Sequence, residues 1–103
     1  MKQIQQLMKQ AQQMQSRIAK IQEEMAGHVE EATAGGGVVA AAANGRGELT
    51  AVRISPDVAR PEEVEMLQDL VLAAANEALR KAREAVEREM KKAAGGMSLP
   101  GLM

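Results

Sequence analysis

The sequence predicts an α+β fold in the order α-β-β-β-α: a long N-terminal helix, a three-stranded antiparallel meander and a long C-terminal helix. Three observations predict it. Apolar residues keep an unbroken 3-4 spacing through the first 25 positions. Short segments bounded by glycines fill residues 28–54, and a proline followed by carboxylates and a second apolar stripe opens the remainder.

The first helix rests on Ile4, Leu7, Ala11, Met14, Ile18, Ile21 and Met25. That spacing places all seven on one seam over three heptads, with Gln, Lys and other good helix formers between them. Gly27 is a suitable stop. A helix over about 2–26 would be a rod roughly 37 Å long. Val29 to Thr33, Val38 to Ala43 and Leu49 to Ile54 then read as strands. Gly35-Gly36-Gly37 forms the first turn. Asn44-Gly45 opens the second, because both residues tolerate positive φ. The alanines at 40–43 are poor strand formers, so the middle strand is the weakest element by propensity. Pro56 and Pro61 mark the exit from the sheet, with a helical turn expected near Asp57 to Arg60. Pro61 suits the first position of a second helix over about 61–94, and Glu62, Glu63 and Glu65 complement its dipole. Val64, Leu67, Val71, Ala74 and Ala78 carry its apolar stripe, and Gly95-Gly96 ends it. One domain therefore spans 1–94, and 95–103 reads as a flexible tail.

Composition limits what such a chain can do. Its 103 residues allow one modest core, and no Phe, Trp or Tyr is available to fill it. Thin cores need a staple, and the absence of Cys rules out disulfides and thiolate metal sites. A second copy of the chain is the expected staple. The N-terminus lacks an apolar run of signal-peptide length and no 18-residue apolar stretch occurs, so a soluble, unexported protein without a membrane partner is expected.

The net charge of −1 hides a strong partition. Residues 1–26 carry a balance of +2, residues 79–92 a balance of +3, and the middle, 27–78, a balance of −6. Both helices adjoin the sheet, so both are expected to project from one side of it. The start of the first would then lie near the end of the second, and the particle would have a cationic end and an acidic base.

The cations give the only candidate chemistry. The heptad register of the second helix continues to Lys81, Ala85, Arg88 and Lys92, while Lys2 and Lys9 lie opposite the seam of the first. Lys and Arg so placed can neutralise nucleic-acid phosphates and release counterions. The competing reading is a solvated helix face. Glu77–Lys81, Arg83–Glu87, Glu84–Arg88 and Glu87–Lys91 stand at i,i+4 spacing, and a straight helix drifts from heptad register so that Val86 and Met90 take over the seam. Single-strand binders stack bases on aromatic side chains, which are lacking, so duplex backbone contact is the expected mode. The Met residues read as core filler. His28 is a lone histidine, the glycine clusters lack the Lys-Ser/Thr of a phosphate loop, and no serine has a triad partner nearby in sequence. No cofactor, metal site or enzymatic activity is expected.

Four stretches carry a family resemblance over nearly the whole chain. Residues 8–15 (MKQAQQMQ), 44–48 (NGRGE), 63–71 (EVEMLQDLV) with 74–78 (AANEA), and 95–102 (GGMSLPGL) resemble, in order and spacing, the YbaB/EbfC family of nucleoid-associated DNA-binding proteins. The resemblance implies a tweezer-like homodimer whose helical arms engage double-stranded DNA with limited sequence preference. It also implies a cytoplasmic, nucleoid-associated location, and recombination or replication proteins as further partners. The family's DNA contacts are attributed to the arms, which carries that role onto Lys2, Lys9, Arg17, Lys20, Lys81, Arg88, Lys91 and Lys92. Ala40 to Ala43 depart from the polar and β-branched alternation of the family hairpin, and Ser55-Pro56-Asp57 stands where Asp-Pro is usual. A second reading is a coiled-coil-armed interaction module or prefoldin-like holdase. Salt separates the two, because phosphate contacts weaken steeply with added salt and apolar contacts do not.

Overall fold

A computed structural model describes residues 1–95; of the expected tail, 95–103, Gly95 is the last residue of the second helix and the rest lies outside the described residues. Helix α1 (Lys2–Ala26) is followed by strands β1 (Val29–Ala34), β2 (Val39–Asn44) and β3 (Leu49–Ile54), and by helix α2 (Val64–Gly95). The expected element order is the observed one. The turn after the sheet, Pro56–Val58, starts just ahead of its expected place, and the Ser55 hydroxyl caps it by accepting from the Asp57 amide at 3.2 Å. Pro61 opens a 3₁₀ turn, Pro61–Glu63, that feeds directly into α2.

The strands form one antiparallel sheet in the order β1-β2-β3. Alternation along each strand assigns its two faces. Ala32, Val39, Ala41 and Ala43 face α2 and meet Ala74, Ala75, Ala78 and Ala82 in the core. This explains the alanine strand that propensity disfavours. A helix and a sheet that both present methyl groups can approach closely, and every position of β2 from Val39 to Ala43 is buried. Tertiary fit overrides the weak strand preference of Ala. On the opposite face, Arg53 of β3 forms an ion pair with Glu31 of β1, spanning β2.

The hairpin between β2 and β3 keeps its predicted position but not its predicted reason. Neither Asn44 nor Gly45 has positive φ; Gly47 does, at +82°. Asn44 builds the turn with its side chain. Its Oδ1 accepts from the amides of Arg46 and Glu48 at 2.9 and 3.1 Å, and its Nδ2 donates to Glu48 Oε1 at 2.9 Å. Gly45 is required for space. Its amide donates to the Met25 carbonyl at 3.1 Å, and a Cβ there would stand 2.0 Å from that oxygen. The turn is thereby docked on the last residues of α1. The molecule measures 72 × 24 × 16 Å, and no described helix is long and apolar enough to cross a membrane.

Candidate nucleic-acid interface

Both helices leave the sheet at the end that carries this hairpin. Met25 at the foot of α1 holds Gly45, while Leu79, Arg83, Val86 and Glu87 of α2 line a cleft beside Gly45, Arg46 and Gly47. Beyond this level the helices run unequal distances. From Val86 to Gly95, α2 advances about 14 Å, whereas α1 from Met25 back to Lys2 covers about 35 Å. Burial along the α1 seam agrees. Met25 is buried and Met14, Ile18 and Ile21 are half-buried, but Ile4, Leu7 and Met8 are 53%, 64% and 59% exposed. The start of α1 therefore stands beyond the last described turn of α2, which corrects the expectation that the two tips lie together. The sequence compared the helices by their cationic ends and missed that α2 spends more than half its length on the sheet.

Along α2 the buried line is Ala74, Ala75, Ala78, Ala82 and Ala85, with Val86 and Met90 half-buried beside it. A straight α-helix turns 3.6 residues at a time, so the seam drifts off the heptad positions that pointed to Lys81 and Arg88. Lys81 is half-buried and its ammonium donates to the Glu31 carbonyl at 2.6 Å. It covers a carbonyl on the β1 edge strand, a place where unpaired backbone invites pairing with other chains. Lys92 stands 3.4 Å from Glu89. The sequence i,i+4 partners are also rearranged. Arg80 takes both Glu77 and Glu84, holding the Glu77 carboxyl below its ordinary range by hydrogen bonding. Arg88 and Lys91 are left exposed, as are Lys2, Lys9, Arg17 and Lys20 on α1, and none of them makes an ion pair among the described residues. Arg83 joins this exposed, unpaired set, although sequence reasoning did not select it; the periodicity of α2 at 3.6 residues was the available signal.

At the junction of α1 and β1, His28 Nε2 and Glu30 Oε2 are 2.5 Å apart. The His28 hydrogen bond depresses the Glu30 carboxyl, opposed by its burial and assisted by the charges of His28, Lys81 and Arg88. Among the described residues no three His, Cys, Asp or Glu side chains gather into a metal-binding group.

A second surface lies at the other edge. Leu49, Val52 and Ile54 share the face of the sheet that α2 covers, yet they are 45%, 44% and 41% exposed because α2 lies over β1 and β2. Ile54 with Val64, Leu67, Val71, Leu72 and Ala75 lines an open, almost wholly apolar groove. The β3 strand was visible in the sequence, but neither the register shift at Ala42/Ala43 that brings Leu49 to the face of Val52 and Ile54 nor the helix position that leaves that face uncovered was.

The chain matches the YbaB/EbfC DNA-binding family over residues 1–97. It is 56% identical over 96 residues to a nucleoid-associated protein of Thermoanaerobacter pseudethanolicus, covering 93% of this chain and 86% of that protein. A nucleoid-associated protein of Pelotomaculum thermopropionicum is 48% identical over the same length, with 93% and 91% covered. Among solved structures, an uncharacterised protein of Helicobacter pylori is similar with a TM-score of 0.62 and 26% identity, over 84% of this chain and 96% of that one.

Proposed function

As the chain belongs to the YbaB/EbfC DNA-binding family, we propose that it is a nucleoid-associated architectural protein, a homodimer that grips duplex DNA between its helical arms. The observation that carries this reading is the exposed set of cations on the arms, Lys2, Lys9, Arg17, Lys20, Arg88 and Lys91, with Arg83 at their foot. Groups without an ion-pair partner have the most to gain from phosphate, since they break no existing bond and release counterions on binding. Lys81 and Lys92 rank behind them, because each already has a partner. Dimerisation supplies the second pair of arms. The groove of β3 and α2 is the surface we assign to it, being apolar, continuous and remote from the arms.

Such contacts follow the backbone and carry little base readout. The protein is then expected on the nucleoid, where recombination or replication proteins would meet it on shared DNA. Titration of a labelled random-sequence duplex at several salt concentrations, with single-stranded competitor, tests the reading. Duplex should be preferred, and affinity should fall steeply with salt. Replacing Lys9, Arg88 and Lys91 together with Gln should weaken binding and reduce the salt slope by about 0.9 for each phosphate that is no longer neutralised. Unchanged affinity in that variant would remove the three residues from the interface. The exposed Ile4, Leu7 and Met8 favour the holdase reading instead. Salt-insensitive capture of unfolded chains, without duplex binding, would establish it.

A further inference from the structure

The tip of α1 is an apolar seam without a neighbour among the described residues. Ile4, Leu7 and Ala11 are exposed and Met14 is half-buried, although they continue the heptad spacing that Ile18, Ile21 and Met25 use against the body of the protein. Phosphate binding does not account for them, because the two lysines of this half, Lys2 and Lys9, lie on the opposite side of the helix. A seam of this kind is completed by another helix.

We propose that the tip of α1 pairs antiparallel with the same tip of a second copy, joining the proposed DNA-gripping units end to end. Two features select this occupant. The first is charge. Gln3, Gln10 and Gln15 flank the seam, with Met8 extending it, so the positions that normally choose a coiled-coil partner by charge are neutral. Within the paired span, 3–15, identical tips therefore meet with neutral flanks; Arg17, the next flanking position, lies just outside it, and Lys2 and Lys9 remain outward. A charged target helix would find no complementary flank. The second is volume. Antiparallel alignment about position 9 sets Leu7 of one copy opposite Ala11 of the other and Ile4 opposite Met14. Every layer then joins a larger side chain to a smaller or more adaptable one. Parallel alignment would stack Ala11 on Ala11 and leave that layer underfilled. Antiparallel helices also oppose their dipoles favourably.

The contact covers about two heptads, so it is weak in free solution and strengthens when copies are held close together. Its consequence is a link between DNA-bound units that uses none of the cations assigned to phosphate.

Sedimentation velocity on the full chain without DNA, over a wide concentration range, reads the pairing directly. The mass should rise with concentration beyond that of a two-chain unit, because each such unit carries two tips. Leu7→Gln should weaken that step by at least about tenfold, as expected from losing a buried leucine on each copy, with helix content by circular dichroism unchanged. The chain has no cysteine of its own. A single Gln10→Cys therefore reports orientation, because antiparallel pairing brings two copies of position 10 together near the centre of the contact. Oxidation should then give a specific disulfide-linked chain pair. In Leu72→Asp, where the groove contact is removed, the Leu7-dependent step should still take one chain to two, so failure of the groove assignment is separable from failure of this one. A mass that never rises with concentration, or a rise that Leu7→Gln leaves intact, overturns the proposal.

Discussion

Gly45 and Gly47 lie two residues apart in one turn and are held by different physics. At Gly45 the backbone is ordinary and the space is absent; at Gly47 the space is open and the φ of +82° is the constraint. Gly45→Ala must push the hairpin off the Met25 carbonyl, which breaks the amide bond there and loosens the foot of α1. A loss of about 1–3 kcal/mol is expected in urea denaturation. Gly47→Ala should cost about 1 kcal/mol, the strain of an L residue in the left-handed region, and leave α1 undisturbed. The turn was legible in the sequence, but the role of Gly45 was not, since it depends on a residue 20 positions earlier. Glu30 makes a second case. Its pKa is lowered in the folded chain, so its ionised form stabilises the fold above the ordinary value of 4.5, and that contribution is lost as pH falls through the depressed value. Glu30→Gln should flatten the acid side of the stability–pH curve below about pH 4.5 and leave its shape at neutral pH unchanged. An unaltered acid limb would show that the His28 contact contributes nothing.

At the scale of elements, the structure turns on a choice of small side chains. Helix and strand boundaries were readable because local signals set them: the seam of α1, the Asn44 turn, Pro61 and the carboxylates after it. What local signals could not give was the fit between α2 and β2. Ala41, Ala43, Ala74 and Ala78 are each 2% exposed or less. Each contributes little apolar area, so the layer holds through closeness of approach and dispersion contact more than through bulk. Such a layer should be intolerant of enlargement. Ala78→Leu is expected to cost about 1–3 kcal/mol and to lower the unfolding midpoint, even though leucine favours helices and adds apolar surface. A stabilised variant would mean that the layer contains a void the leucine can fill. The drift of the α2 seam off its heptad positions has a related cause. Packing on a sheet lets a helix stay straight, and only supercoiling around another helix would have kept Lys81 and Arg88 on the seam.

On the whole-molecule scale, the partition of charge was legible and the partition of apolar surface was not. The cations of α1 sit on its arm, but the second cationic segment is divided: Arg88, Lys91 and Lys92 lie beyond the sheet, whereas Lys81 lies on β1 and Arg83 beside the hairpin. The groove between β3 and α2 arises only after α2 has settled over β1 and β2, so no window of sequence contains it. Leu72 gives it a sharp test. In a single chain this side chain is 62% exposed, and replacing an exposed residue normally changes stability by less than about 0.5 kcal/mol. If the groove is filled by a second copy, Leu72→Asp instead places an unpaired carboxylate at the centre of an apolar contact, where a buried charge is strongly unfavourable. The variant should then sediment as single chains at concentrations where the parent is dimeric. The parent's melting temperature should rise with protein concentration, as linkage between folding and association requires, and the variant's should not. A Leu72→Asp protein that keeps both the parent's mass and its concentration-dependent melting would place the dimer contact elsewhere on the molecule. The β3 edge, whose six residues are all exposed, would then be the next surface to alter. If the arms grip DNA in pairs as proposed, the same variant should also bind duplex more weakly while every arm cation remains in place. That weakening would separate the contribution of assembly from the contribution of charge.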